Sequence, residues 1–303
     1  MPNISKQKIA FILYEWKYVL PETDSALRLI NELFNRDFEI HIIYQTNYTK
    51  SLVLDGEKHL NAENFLSSCA LSESNQTPQF DHIFFMDVPP LLDCTFNFLE
   101  QQSNAKIHNS INGLKKGAKK SYTQNFNNHI PFSLVTNRIE IIDHFTKNKE
   151  HQWILKPNIG YGGDDIYFIN TNEDNWQHSI PDLDNKEWIL QEFDETIKNG
   201  DTRVLVCKGE VLGAMKRIPK KGSILSNMKQ GATAHAYQLN NKELSICKDI
   251  AIQLQKDGIE MAALDLIGLK LLEINIYSPG GIARINQLNL LQVEKRMIDL
   301  LLS

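Results

Sequence analysis

The sequence predicts a mixed fold, α/β in its first part and α+β in the rest, in about two domains. Three observations carry this. Short apolar runs alternate with amphipathic stretches through the first third. The last hundred residues are rich in strand patterns and close on a helix pattern. The 303 residues leave room for about two domains of ~100–200 residues each.

Ile9 to Tyr14 reads as a buried strand, and Ser25 to Arg36 as a helix with one apolar stripe, capped by Asp24 or Ser25. Phe38 to Tyr44 and Phe80 to Met86 read as strands, the second ending at Pro89-Pro90, with Lys106 to Asn109 a short fourth. Strands separated by helices favour an open parallel sheet. Pro131 to Thr136, Trp153 to Lys156 and Glu187 to Glu192 follow as strands around a helix at about Ile139 to Lys147. Thr202 to Cys207 and Glu210 to Lys216 form a hairpin through Lys208-Gly209. A helix near Lys242 to Asp257, strands at Met261 to Ile267 and Leu271 to Ile276, and a helix over roughly Leu290 to Leu302 complete the chain. The expected division is 1–115, 116–190 and 191–303, with the first boundary near the basic stretch Gly113 to Thr123.

Composition excludes several classes. Hydrophobic residues are 42% and charged residues 23%, the balance of a soluble globular chain. The net charge of -5 disfavours a nucleic-acid partner, which needs many phosphate-neutralising cations. No apolar run approaches the ~20 residues that cross a bilayer, and the start lacks a secretory pattern, so no membrane partner is expected. Cys69, Cys94, Cys207 and Cys247 are widely spaced and read as reduced thiols of a cytoplasmic protein. No G-x-G-x-x-G follows the first strand, which disfavours a dinucleotide cofactor there.

Four segments carry chemistry. In WILKPNIGYGGDDIYF (153–168), a strand ends in Lys156-Pro157 and a loop holds Gly160, Gly162 and Gly163. Glycines allow close backbone approach, and free N–H groups in such a loop form an anion nest beside the lysine. A glycine hairpin alone usually only punctuates structure. In ALDLIGLKLLEINIYSP (263–279), Glu273 and Asn275 face the same way, and a turn at Gly268 to Lys270 brings Asp265 beside or diagonal to Glu273. Two carboxylates among apolar residues repel unless a cation sits between them, and hard oxygens suit Mg²⁺ bridging nucleotide phosphates. In ILQEFDETIKNGDTR (189–203), Gln191-Glu192-Phe193 end a strand where an adenosine can be held, Glu192 facing ribose hydroxyls; such loops are more often plain surface. KRIPKKGSILSNMKQ (216–230) is strongly basic, which suits stabilisation of a transferring phosphate, although charge runs are usually solvated faces.

Taken in this order, the segments resemble the ATP-grasp superfamily, and more narrowly the bacterial glutathione synthetases, most closely from about Gln152 to Pro279. The resemblance implies an ATP-grasp fold: an N-terminal open parallel sheet, a central α+β lid and a C-terminal α+β domain, with ATP between the last two. It implies that Lys120 and Lys156 hold ATP phosphates, that Gly160, Gly162 and Gly163 belong to a loop closing over them, and that Gln191, Glu192 and Phe193 form the adenine hinge. It implies Arg203 and Arg217 for the substrate carboxylate and acyl-phosphate, Asn227 in a phosphate-contact loop, and Asp265, Glu273 and Asn275 as ligands of two Mg²⁺ ions.

The activity implied is ATP-dependent joining of a small-molecule or peptide carboxylate to an amine, with γ-glutamylcysteine and glycine as the family's pair. Resembling enzymes are multimers, which leaves a homo-oligomer open. Two places depart from the family: Asp87 stands where a cation is expected before the double proline, and Ser278-Pro279-Gly280-Gly281 replaces an S-P-T-like motif. Both face the peptide substrate in the family. Competing readings are therefore an ATP-grasp ligase for another acid or a peptide, and a nucleotide-binding protein without ligase activity.

Overall fold

The computed structural model describes residues 6–303 except 75–77, 89–91, 148–150, 161–164, 172–175, 181–182, 184–185 and 224–225. The expected Pro89-Pro90, Gly162 and Gly163 lie outside the described residues.

The first sheet is built from β1 (Lys8–Leu13), β2 (Glu39–Tyr44), β3 (Asn47–Asp55), β4 (Ala70–Ser74), β5 (His82–Phe85) and β6 (Lys106–His108). Its order is β4-β3-β2-β1-β5-β6. The pairs β1–β2, β1–β5 and β5–β6 are parallel, as the alternation of strand and helix predicts. The antiparallel strands β3 and β4 extend one edge and were not expected. Helices α1 (Ser25–Asn35), α2 (Ala62–Ser68) and α3 (Asp93–Gln101) connect these strands, and α4 (Ile111–Gly117) follows β6. Asp24 caps α1 by accepting from the Leu27 amide at 2.9 Å.

The unbroken apolar run of β1 has a plain cause: both of its faces are covered. Ile9, Phe11 and Leu13 join one interior cluster, Ala10 and Ile12 another.

A second sheet, ordered β7-β10-β8-β9, comprises β7 (Ser133–Thr136), β8 (Trp153–Pro157), β9 (Tyr167–Ile169) and β10 (Trp188–Glu192), with α5 (Ile139–Thr146) packed on it. The third sheet, β13-β12-β11-β14-β15, holds β11 (Asp201–Cys207), β12 (Glu210–Ile218), β13 (Thr233–Ala236), β14 (Met261–Ile267) and β15 (Lys270–Asn275). It carries α6 (Asn241–Lys256), α7 (Ile282–Asn289) and α8 (Val293–Leu302). The closing helix expected from Leu290 begins at Val293. Leu290 instead ends α7 in the left-handed region at φ 55, which breaks the helical path there.

The first and third sheets share their interiors. Phe11, Ile30 and Ile40 pack in one cluster with Leu205, Met261 and Met297, and Ile12, Phe85 and Leu114 in another with Val204, Leu264 and Ile276. The second sheet has its own cluster around Ile142, Trp153, Leu155, Trp188 and Leu190. A buried joint at Asn109 reinforces the shared interior. Its side chain donates to the carbonyls of Met261 and Ile276 at 2.9 and 2.8 Å, and accepts from the amides of Glu260 and Met261 at 2.8 and 2.9 Å. At φ 61 it occupies a conformation that asparagine tolerates better than most residues.

Candidate functional site

A cavity of about 350 Å³ lies between the second and third sheets. Its floor is the β14–β15 hairpin. Strand β14 is buried at every position, and Asp265 is its one charged residue. The two-residue turn at Gly268-Leu269, with Gly268 at φ 55, pairs Ile267 with Lys270 and Leu266 with Leu271, and a bulge that skips Leu272 then places Asp265 directly opposite Glu273, and Ala263 opposite Asn275. Of the two arrangements the sequence allowed, beside or diagonal, the structure shows the first. The three oxygen-bearing side chains face the same cavity.

Asp265 is 4% exposed and enclosed by cations. Arg203 donates to both carboxylate oxygens from Nε and Nη2, each at 2.8 Å, and Arg217 Nη2 lies 3.1 Å from Oδ1. Asn275 Nδ2 donates to Oδ2 at 3.1 Å. Burial works against the charge, but the two guanidinium groups prevail and hold the Asp265 carboxyl well below the usual carboxylate range. Arg217 is also clamped by Asp201, with Nε to Oδ1 at 2.8 Å and Nη2 to Oδ2 at 2.5 Å. Arg203, Asp265, Arg217 and Asp201 thus form a row of alternating charge, buried except at the half-buried Arg203.

Asp201 was read only as the start of a strand. The signal that could have found it is the Gly200-Asp201 pair. Gly200 has φ 86, and a Cβ there would meet the Arg217 carbonyl oxygen at 2.3 Å. Only glycine lets β11 start so close to β12.

Glu273 pairs with Lys120, Nζ to Oε1 at 3.1 Å. Burial opposes its ionisation, but Lys120 and Lys156 together lower its pKa. Lys120 opens a 3-10 segment (Lys120–His129) and is positioned from the backbone. Its amide donates to the Asn158 carbonyl at 2.7 Å, and the Ser121 amide to Asn158 Oδ1 at 2.8 Å. Asn158, 1% exposed, follows Lys156-Pro157 and so ties the two expected phosphate lysines together. Sequence reasoning did not single it out.

Lys156 is 7% exposed; its Nζ donates to Gln191 Oε1 at 3.1 Å and approaches the Leu272 carbonyl at 3.4 Å. Burial pulls its pKa down to about 8, against the attraction of Glu273.

At the hinge, Gln191, Glu192 and Phe193 all line the cavity, with apolar walls from Ile154, Ile197 and Leu272. The amides of Glu192 and Phe193 donate to the carbonyls of Phe132 and Gln152, at 2.9 and 2.8 Å. These two N–H groups are therefore committed within the sheet edge. Glu192 Oε1 lies 2.9 Å from His151 Nδ1. Asn227 also lines the cavity.

Gly160 does not line the cavity and has no left-handed φ; a Cβ there would contact Pro157 at 3.2 Å. Of the two departures, Asp87 is 6% exposed and accepts from the Val88 amide at 2.7 Å. Val88, Ser278 and Gly280 line the cavity. Gly281 starts α7 at φ 121, and a Cβ there would press on Arg203 Cδ at 3.4 Å.

Comparisons with known proteins bear on the family and the fold. The family model for the prokaryotic glutathione synthetase ATP-grasp domain matches residues 119–290. Glutathione synthetase of Thermosynechococcus vestitus is 32% identical over 186 residues, which cover 60% of this chain and 58% of that one. Glutathione synthetase of Neisseria meningitidis serogroup B is 33% identical over 192 residues, covering 62% and 60%. The matched stretch thus spans about three-fifths of these two relatives. The crystal structure of the D-cycloserine synthetase DcsG superposes with a TM-score of 0.67 over 97% of this chain and 99% of that one. At 12% identity, this likeness speaks to the fold, that of the ATP-grasp proteins. With the model match covering more than half of the sequence, the chain belongs to the prokaryotic glutathione synthetase family through its ATP-grasp domain.

Proposed function

We propose that the protein is an ATP-dependent ligase that joins a carboxylate to an amine, as the glutathione synthetases named above do for their own substrates. One observation carries the reading. Asp265, Glu273 and Asn275 share a single cavity with two lysines and two arginines, beside an apolar hinge.

The donor set has the chemistry of a magnesium site, and the ion would take the place of the cationic side chains that now engage Asp265 and Glu273. Asp265 and Glu273 are adjacent across two strands and both are held ionised. Among the described residues no cluster of three or more His, Cys, Asp or Glu is gathered. Two carboxylates and one amide suit a cation whose remaining ligands are phosphate oxygens and water. When bound, magnesium supplies charge neutralisation along the nucleotide phosphates.

The protein's own groups then have these tasks. Lys120 and Lys156 hold the phosphates. The walls of Ile154, Ile197 and Leu272 sandwich the base, and Glu192 faces the ribose. Arg203 and Arg217 orient the acid so that its carboxylate oxygen attacks the γ-phosphorus while the bond to ADP breaks. The amine then attacks the acyl carbon of the resulting acyl-phosphate, inorganic phosphate leaves, and the amine gives up a proton. Catalysis rests on positioning and fixed charge.

The acid is γ-glutamylcysteine and the amine glycine on the family reading. Asp87 favours a second: a buried acid next to the cavity-lining Val88, where the family resemblance implies a cation, suits an acid substrate with different charge placement or a peptide. A cytoplasmic setting accords with the four free thiols, and no helix among the described residues is long and apolar enough to cross a membrane. The deciding experiment measures ADP release across candidate acids and amines, with product mass. Release driven by one acid–amine pair supports the proposal; nucleotide binding without acid-dependent release would overturn it.

A further inference from the structure

Two arginines meet at Asp265, but they are not held alike. Arg217 has a second carboxylate of its own. Asp201 takes its Nε at 2.8 Å and its Nη2 at 2.5 Å, and only that Nη2 also reaches Asp265 Oδ1, at 3.1 Å. Arg203 has no such anchor. Its Nε and Nη2 both go to Asp265, at 2.8 Å each, and Asp265 is its one acidic partner among the described residues. The Arg203 side chain is also the less enclosed of the two, 18% exposed against 6%.

Asp265 is saturated by these contacts. A carboxylate offers about four lone-pair positions. Arg203 takes two of them, and Arg217 and Asn275 one each. An oxygen–metal bond at Asp265 therefore requires a donor to leave. Asn275 is uncharged and is not repelled by a cation. Arg217 is repelled but stays tied to Asp201. Arg203 is repelled and has nothing else to hold it.

The charges match this exchange. Glu273 lies directly across the hairpin from Asp265 and pairs with Lys120, Nζ to Oε1 at 3.1 Å. With Arg217 set against Asp201, the Asp265 and Glu273 carboxylates are balanced by one guanidinium and one ammonium. A divalent cation between the carboxylates replaces those two charges one for one, whereas a monovalent cation does not. There is also room for the guanidinium to go. A Cβ built at Gly280 would have Arg203 Nη1 and the Ser278 carbonyl oxygen as its nearest neighbours, at 3.7 and 3.9 Å. The glycine leaves that space beside the guanidinium free, and Ser278 and Gly280 line the cavity.

We propose that Arg203 is gated by the metal: a divalent cation arriving at Asp265 displaces its guanidinium towards the Gly280 edge of the cavity, where it takes the carboxylate of the acid substrate, while Arg217 stays on Asp201. This rests on the ligase reading above, in which Asp265 and Glu273 are the magnesium ligands. It divides the labour of the two arginines, one fixed and one released. It also sets the sign of the coupling. Whatever draws Arg203 away from Asp265 strengthens the metal there, so the metal–nucleotide and the acid favour each other's binding.

The test uses the full chain with ¹⁵N-labelled arginine, and Mg²⁺ with a non-hydrolysable ATP analogue as the probe. Calorimetry reads nucleotide binding. Exchange with water is read at the Nε–H cross-peaks of Arg203 and Arg217, assigned through Arg203→Lys and Arg217→Lys. On saturation the Arg203 Nε–H is expected to lose about tenfold or more of its protection from exchange, and the Arg217 Nε–H to keep its own. Arg203→Met removes the competitor and is expected to bind Mg²⁺ about tenfold more tightly, read from the Mg²⁺ dependence of analogue binding. An Arg203 Nε–H that stays protected with the analogue bound, or weaker Mg²⁺ binding in Arg203→Met, overturns the proposal and leaves the ligase reading standing. Absence of any Mg²⁺-dependent nucleotide binding in the calorimeter overturns that reading, and the proposal with it.

Discussion

Asn109 and Met261 are joined by two hydrogen bonds running in opposite directions, Nδ2 to the carbonyl and the amide to Oδ1, both 2.9 Å. This residue pair ties the end of β6 to the first position of β14, the strand that carries Asp265. Two further bonds to Glu260 and Ile276 complete the joint. Asn109→Ala leaves these buried backbone groups without partners, at about 1–3 kcal/mol each before relaxation. The expected loss is ~3–5 kcal/mol in total, read from the urea midpoint. Asn109→Gly restores the freedom for φ 61 but not the bonds, and should recover only about 1 kcal/mol. A loss below about 1 kcal/mol in both variants would show that the joint carries no load.

Lys156 gives the pH dependence its sign. Its folded pKa lies at about 8, below the ordinary 10.5. The lysine is therefore charged below about pH 8 in the folded protein, at a cost to stability that is relieved as pH rises towards 10.5. Phosphate binding needs the charged form. The kcat/KM for ATP should fall as pH rises through about 8, and Lys156→Arg, which does not titrate there, should flatten that limb. Lys156→Met should lose nucleotide binding while melting no lower than the parent at pH 7, since a buried charge has been removed.

The two carboxylates should answer differently to substitution. The Glu273 side chain is 28% exposed and pairs with Lys120 alone among the described residues. Glu273→Gln should keep stability within about 1 kcal/mol and lower kcat by about 10²-fold or more. Asp265→Ala strips the shared partner from Arg203 and Arg217 and should also cost ~3–5 kcal/mol of stability. Thermal melts beside single-turnover ADP release separate the two effects. Full turnover in Glu273→Gln would remove this residue from the proposed site.

Gly200→Ala tests the origin of the Asp201–Arg217 clamp. A Cβ 2.3 Å from the Arg217 carbonyl, at a φ of 86, must push β11 away from β12. The expected cost is ~2–4 kcal/mol, with weaker binding of an acid substrate as Arg217 shifts. Unchanged melting and unchanged KM would show that the strands adjust freely.

Much of the cavity was legible because it is written in short-range order. The β14–β15 hairpin follows from an apolar alternation around Gly268, and alternation alone puts Glu273 and Asn275 on one face. Lys156, Gln191 and Glu192 sit at strand ends that apolar runs mark out. What was missed depends on distant partners. Strand β4 is the sheet edge and has no buried position, and β3 carries only the three-residue apolar run Leu52 to Leu54 after a polar start, so neither stands out. Asn109 looks like a loop asparagine until the backbone of residues 260, 261 and 276 arrives. Asp201 gains meaning only from Arg217, 16 positions on, and Asn158 from Lys120, whose sequence lies far upstream. The break between α7 and α8 was hidden because Leu290 and Leu291 continue a helical apolar pattern, although Leu290 is 93% exposed.

The separate interior of the second sheet has a mechanical consequence. A movement of that sheet against the other two would open neither of the large interiors they share. Across the cavity it is held by polar ties, Lys156 to the Leu272 carbonyl and, at its root, Lys120 to Glu273. Because both lysines are buried, dissolved ions screen these ties only weakly, and the gap between open and shut answers instead to an anion that enters the cavity and draws the two ammonium groups to itself. Potassium chloride alone should leave the gate nearly unchanged, whereas a triphosphate should move it.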